Sequence, residues 1–315
     1  MNAAIDAVLC LLLISAAVVG LVGVDSPSTE EPGRADAVAA TLATTTAQVN
    51  YSLAPGLEGV RDSGRRLGNR SSAARSGPRT GGADSPELDR TAHGSLAGLL
   101  ARAATANSGL AGSRITDANG TSTVSEWTPL TRTRIDFRRA VRDAVRARTG
   151  ARIRIDAIWR PYPGAPVGGT ASVGPEPPST GVHAATLTVP TRADPVSESA
   201  TTDFDALGAA VANRTVAVLV PPGPARITLR GDDPAAVLVR HRYDRLGAVT
   251  NTSLSTPLAT EDTTAANARL ADALAPRMAA DLRNRYDGPT AAAENVSVSS
   301  VRIVVRTWDA GEEAR

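Results

Sequence analysis

No lysine occurs anywhere in the 315 residues; all 34 basic side chains are arginines. That absence removes every chemistry that needs an amine: a phosphate-loop lysine, a Schiff base, a Ser-x-x-Lys nucleophile pair. Cysteine is almost as scarce. Cys10 stands alone, so neither an intramolecular disulfide nor a thiolate metal site is available. The three histidines, His93, His183 and His241, are far apart in the chain and none belongs to an HExxH pair. Gly169–Gly174, "GTASVG", has the wrong spacing for a nucleophile elbow. The glycine-rich stretches lack the strand–glycine–helix setting of a dinucleotide site. The acidic pairs Asp232–Asp233, Glu261–Asp262 and Glu312–Glu313 sit at helix starts or the chain end, where capping or solvation accounts for them. The expectation is therefore no catalytic residue, no cofactor and no metal ligand.

What the sequence does have begins at its front. Ala7–Val24 carries no charge, and Asp6 precedes it. As a helix this run reaches about 27 Å, enough to cross the hydrocarbon core of a membrane. No basic segment stands before it, and a cut after Ala17 leaves "VVGLVGV" as an apolar start; both favour a retained anchor over a cleaved signal. Cys10 then packs as a small apolar side chain. Ala16, Gly20 and Gly23 place small residues on adjoining turns, where they permit close approach of a second helix and homo- or hetero-oligomers.

Six of the ten asparagines open an Asn-x-Ser/Thr triplet, none with proline in the middle: Asn50, Asn69, Asn119, Asn213, Asn251 and Asn295. Such acceptors for N-glycosylation work only on the far side of a membrane. They orient the anchor, with the first few residues inside and the bulk of the chain extracellular.

Three segments follow from composition and periodicity. Residues 1–25 are the transmembrane anchor. Residues 26–84 are a helix, Arg34 to about Asn50, and then a flexible Arg/Gly/Ser-rich linker from Leu53 to about Asp84. Residues 85–315 are an extracellular domain. Within it, a helix is expected from Ser85 onward, with Leu96, Leu99, Leu100 and Ala103 on one face. A hairpin is expected around Asn119–Gly120. The clearest helix is Thr133–Arg148, with Phe137, Ala140, Val141, Ala144 and Val145 on one side. Ile153, Ile155, Ala157 and Trp159 alternate as a strand. Pro161–Gly181 reads as a long loop, followed by a strand "VHAATLTVP" able to pair with the Trp159 strand. A helix starts at Asp203, an apolar central strand covers "TVAVLVPP", and "ARITLRG" is its hairpin partner. Helices from Pro234 and over Thr263–Tyr286, with Pro276 as a kink, precede a last strand ending at Trp308. The fold class is α+β: an N-terminal transmembrane helix, then a mixed, mainly antiparallel sheet packed with helices.

On the Thr133–Arg148 helix, Arg134, Arg138, Arg139, Arg142 and Arg146 make the best candidate anion contacts in the chain. Few aromatic side chains accompany them (3% of the chain), so a nucleic acid is not the expected partner. A glycan or lipid headgroup of the envelope is the alternative.

The stretches "IDAVLCLLLISAAVVGLVGV" and "DALGAAVANRTVAVLVPPGPARITLRGD" resemble uncharacterised haloarchaeal envelope proteins of pilin-like or TadE-like type. The resemblance implies a single N-terminal apolar helix, an outward soluble domain, and association with a pilus-like or secretion-like surface apparatus. Pro27 and Pro32 interrupt any continuous pilin rod, which favours an accessory component over a filament subunit. The expected protein is thus a single-pass, non-enzymatic envelope protein whose partners are the membrane and other envelope or pilus-like proteins. The alternative is an anchored extracellular hydrolase or ligand-binding module, with its cleft between the Pro161–Gly181 loop and Val216–Val220.

Overall fold

A computed structural model describes residues 33–68, 86–116, 122–197, 200, 202–231 and 234–309. The chain divides into two units, Met1–Gly33 and Arg34–Arg315, and everything below belongs to the second. The expected anchor with Cys10, Ala16, Gly20 and Gly23, residues 69–84 of the expected linker, and the asparagines Asn69 and Asn119 lie outside the described residues.

The second unit is α+β. It opens with α1 (Arg34–Thr44), β1 (Thr46–Ser52) and α2 (Ala54–Gly68). After a 3-10 turn come β2 (Asp89–Ser95), α3 (Leu96–Ala106), β3 (Ser108–Thr116), β4 (Ser122–Pro129) and α4 (Ile135–Arg146). Three strands follow: β5 (Ile153–Trp159), β6 (Val167–Val173) and β7 (Val182–Pro190). Six helices then run in succession: α5 (Phe204–Leu219), α6 (Pro222–Leu229), α7 (Pro234–Thr250), α8 (Ser255–Ala259), α9 (Thr263–Arg285) and α10 (Pro289–Glu294). The chain returns to the sheet as β8 (Ser300–Trp308).

The main sheet has the order β4-β3-β6-β5-β8-β7, and every pair in it is antiparallel. β1 and β2 form a separate antiparallel ribbon. β5 shows why the sheet is one-sided. Ile153, Ile155, Ala157 and Trp159 are buried, opposite Val305 and Ile303 of β8. The alternate residues face outward, where Asp156 takes Arg154 Nε at 2.8 Å, Arg306 Nη1 at 2.7 Å and the Ser172 hydroxyl at 2.7 Å. One apolar face and one wet, charged face is the usual economy of an antiparallel sheet.

Against the apolar face lies α3. Seven of its eleven residues are buried, and Ser95, the last residue of β2, caps it by accepting from Gly98 N at 3.1 Å. The helix comes so close to β6 that a Cβ on Gly169 would collide with the Ala104 carbonyl. Of the later helices α5 touches α3, and α6–α10 pack on α5 and on one another. At that side of the core the buried Trp159 indole donates to Val298 O at 2.9 Å. α5 and α9 pair along their length. A Cβ on Gly208 would stand 2.7 Å from Ala279 Cβ, so the small residue sets their separation.

The hairpin β3–β4, the helix α4, β5, β7, β8 and the helices beginning at Pro234 and Thr263 match expectation. Asp203 caps α5 by accepting from Ala206 N at 2.7 Å, also as expected. Six readings are corrected. Residues 46–50 leave the first helix as β1. The start of the expected linker is helical, because Leu53 and Leu57 find Leu88 and Leu238 to bury against as a small second core. Residues 89–95 are strand β2, not the front of a helix. β6 forms inside the expected Pro161–Gly181 loop. β7 pairs with β8, which separates it from β5. The apolar run to Leu219 is the end of α5, and "ARITLRG" belongs to α6 rather than a hairpin. A short, almost wholly apolar run such as Thr215–Val220 fits a buried strand and a buried helix equally well. Here Leu207, Val211, Thr215, Val216 and Leu219 are buried at helical spacing.

A glycine within a strand is ordinarily a weakness, so Gly→Ala there tends to stabilise. At Gly169 the opposite is expected: Gly169→Ala lowers the unfolding free energy by about 1–3 kcal/mol, because α3 must lift from the sheet. Urea denaturation of the two proteins measures the sign.

Candidate functional site

α3 carries one charge in its buried half-turns, Arg102. Its guanidinium stacks on Phe137 of α4, 5.5 Å from the ring centroid, and donates to His93 O at 3.3 Å. These contacts aim Arg102 into a cavity of about 350 Å³ bounded by α3, the start of α4, the end of β7, the α5–α6 junction and α7. Arg134, at the N-terminus of α4, Arg192, just past β7, and Arg242 of α7 line the same cavity. Among the described residues no aspartate or glutamate does. Arg242 donates to the Thr133 hydroxyl at 3.0 Å. Among the described residues neither Arg134 nor Arg192 has a hydrogen-bond or ion-pair partner.

The electrostatics record the same imbalance. Burial pushes Arg242 down to about 9, and Arg134 adds to the effect. Arg134 is lowered by burial and then by Arg102 and Arg192. Arg102 is lowered by burial and then by Arg192. Arg134 is surrounded by protein on most sides yet remains accessible to water, as befits a side chain in a concave wall. Arg102, Arg134 and Arg242 stay cationic at neutral pH, so the cavity concentrates positive charge, and no described residue on its wall supplies a counter-ion.

A buried frame holds the opposite wall. Tyr243 of α7 donates to Asn267 Oδ1 at 2.9 Å, and Asn267 of α9 donates to Val220 O at 2.8 Å. Two helices, α7 and α9, are thereby tied to the α5–α6 junction, whose Val218, Leu219, Pro221 and Ala225 present apolar surface to the cavity. The chemistry on offer is recognition of an anion. His93 is the one imidazole on the wall, with no carboxylate to pair it as general acid and base.

The five arginines expected to act together are split. Only Arg134 enters this cavity. Arg138 and Arg142 line a second one of about 250 Å³ with Asn107 and Thr170. Arg139 pairs with Asp136 at 3.6 Å, and Arg146 is exposed in the last turn of α4. Arg102, Arg192 and Arg242, missed from the sequence, come from three other elements. Arg102 had a visible signal, a single charge inside "LAGLLARAATA"; the other two had none. The cavity is not the cleft expected between Pro161–Gly181 and Val216–Val220: Val218–Val220 line it, while no residue of 161–181 does. His183 and His241 lie outside it, on β7 and α7.

Of the asparagine acceptors, Asn50, Asn213, Asn251 and Asn295 are described, and all are exposed. Among the described residues no group of three or more His, Cys, Asp or Glu comes together as a metal site. No single described helix is long and apolar enough to cross a membrane; α5 and α6 pass only as a pair bent by 43°.

A mixed α+β domain with an arginine-lined cavity is the class of protein that fold and site define. Residues 5–308 match a family of unknown function, DUF7284, and the chain belongs to that family. No curated protein and no solved structure matches it.

Mutual repulsion among the arginines makes a prediction before any ligand is known. Arg134→Gln should raise the thermal midpoint of the unliganded chain by about 1–2 °C at low salt. The gain should shrink as salt screens the site. Calorimetry at two ionic strengths reads both effects.

Proposed function

We propose that this chain is a membrane-anchored envelope protein whose outward α+β domain binds an anionic ligand in the four-arginine cavity. The observation that carries the reading is the convergence of Arg102, Arg134, Arg192 and Arg242 on one cavity, with no carboxylate among the described residues that line it. An uncompensated cluster of this kind is costly when empty and gains charge-assisted hydrogen bonds when an anion enters. A planar guanidinium offers two parallel donors to a phosphate or carboxylate, which lysine does not.

The membrane side of the reading rests on the uncharged run Ala7–Val24 and the six asparagine acceptors. The exposure of Asn50, Asn213, Asn251 and Asn295 agrees with it. In this reading the protein serves a surface assembly as an accessory component, with ligand capture as its task rather than bond-making.

Two measurements test the proposal. Sodium pyrophosphate should raise the thermal midpoint of the full-length chain, and the double variant Arg134→Gln/Arg242→Gln should abolish that rise while remaining folded. A folded wild-type chain whose midpoint ignores pyrophosphate and other polyanions would sink the cavity reading. For topology, fractionation combined with glycosidase treatment should find the chain in the membrane with glycosidase-sensitive mobility. A cytosolic chain of unchanging mobility would remove the envelope assignment.

A further inference from the structure

The cavity is not arginine throughout. Its positive wall comes from α3, α4, α7 and the exit of β7, whereas Val218, Leu219, Val220, Pro221, Pro224 and Ala225 make a continuous apolar wall at the α5–α6 junction. Tyr243 and Asn267 hold this wall from behind through Val220 O, so it is built surface and not a loose flap. Apolar surface continues past the lining: Ile227, one turn on from Pro224 in α6, is 76% exposed. The volume of about 350 Å³ falls in the range of sites for small organic ligands, larger than a lone inorganic ion requires. Four guanidiniums, with no carboxylate among the described lining residues, call for more than one negative charge on the occupant.

From these features we infer that the occupant is an amphiphilic phosphate monoester or diphosphate: a head of at least two negative charges on the arginines, joined to an apolar group lying on the α5–α6 wall. This rests on the anion-binding reading above and narrows it to a ligand class. Arg102, Arg134, Arg192 and Arg242 hold the head, and Val218 and its neighbours hold the body. The same chemistry is met in the headgroup of a membrane lipid and in a soluble phosphate ester.

Calorimetric titration of the purified full-length chain in an uncharged detergent, with detergent-only blanks, separates the parts of the inference. The probes are sodium pyrophosphate, methyl phosphate, n-hexyl phosphate and n-hexyl sulfate. A buried methylene is worth about fourfold in affinity, so hexyl phosphate should bind at least tenfold more tightly than methyl phosphate. Hexyl sulfate, with a single charge, should bind at least tenfold more weakly than hexyl phosphate. Hexyl phosphate binding should also strengthen from pH 5 to 7, as the second phosphate proton leaves near pH 6. Val218→Thr keeps the shape but adds a hydroxyl to the wall; it should reduce the gain in affinity from methyl phosphate to hexyl phosphate.

If pyrophosphate binds but hexyl phosphate gains nothing over methyl phosphate, the amphiphile is refuted while the anion cavity stands. Equal binding of hexyl sulfate and hexyl phosphate refutes the dianionic head. If none of the phosphates binds, both readings fail together. Displacement of bound hexyl phosphate by phosphatidate in mixed micelles, but not by phosphatidylcholine, assigns the source to a lipid. Persistence of hexyl phosphate against phosphatidate assigns it to a soluble ester.

Discussion

The close seat of α3 on the sheet is the constraint from which the rest of this domain follows. Leu96, Leu99, Leu100, Ala103 and Ala104 are each 1% exposed or less, and the Ala104 carbonyl lies against Gly169 with no room for a side chain between them. A helix buried so fully has one direction left in which to place a charge. Arg102 takes it, steadied by the face of Phe137 and the carbonyl of His93. Movement of α3 by even a methyl's width would shift Arg102 with it. The packing that stabilises the fold is thus the packing that aims the cavity's first arginine.

The second constraint is the tie from α7 through Asn267 to the chain reversal after α5. Burying an asparagine between helices is unfavourable unless both ends of its amide are used, and here Tyr243 satisfies one and Val220 O the other. The α5–α6 junction has no strand or disulfide to hold it. Without this tie its apolar residues would be free to collapse into the space they line. A polar contact in the core therefore keeps an apolar wall in place, and the wall faces the arginines that α3, α4 and α7 deliver.

How much of this was legible in the sequence depends on where each element is decided. α4 and β5 were readable because one face of each is wet and the other dry: Phe137, Val141 and Val145 recur at helical spacing, and Ile153 to Trp159 alternate. The end of α5 was not readable, since Thr215–Leu219 is apolar or β-branched throughout and only its partner α9 decides between helix and strand. α2 depends on Leu88 and Leu238, far along the chain, to give Leu53 and Leu57 something to cover. The cavity is the extreme case. Arg102, Arg134, Arg192 and Arg242 are separated by 32, 58 and 50 positions and meet only when four elements are assembled. The sequence drew attention to the richest arginine helix, whereas the structure selects one residue from each of several segments. Local density of charge measures solvation; convergence of charge is a tertiary property.

The absence of lysine acquires a meaning at this cavity that composition alone did not give it. Burial beside Arg134 brings Arg242 well below the ordinary guanidinium value, down to about 9, and it remains cationic at neutral pH. An ammonium, whose usual value near 10.4 lies closer to neutrality, would hold its charge less securely under the same burial. Lysine also concentrates its charge on one strongly hydrated atom and would lose more on leaving water than a delocalised guanidinium does. Arginine is the side chain that lets four like charges share one concave wall and keep every one of them. An anion entering that wall meets charges already in place, with no proton to acquire first, and the repulsion they store while it is empty is released on its arrival.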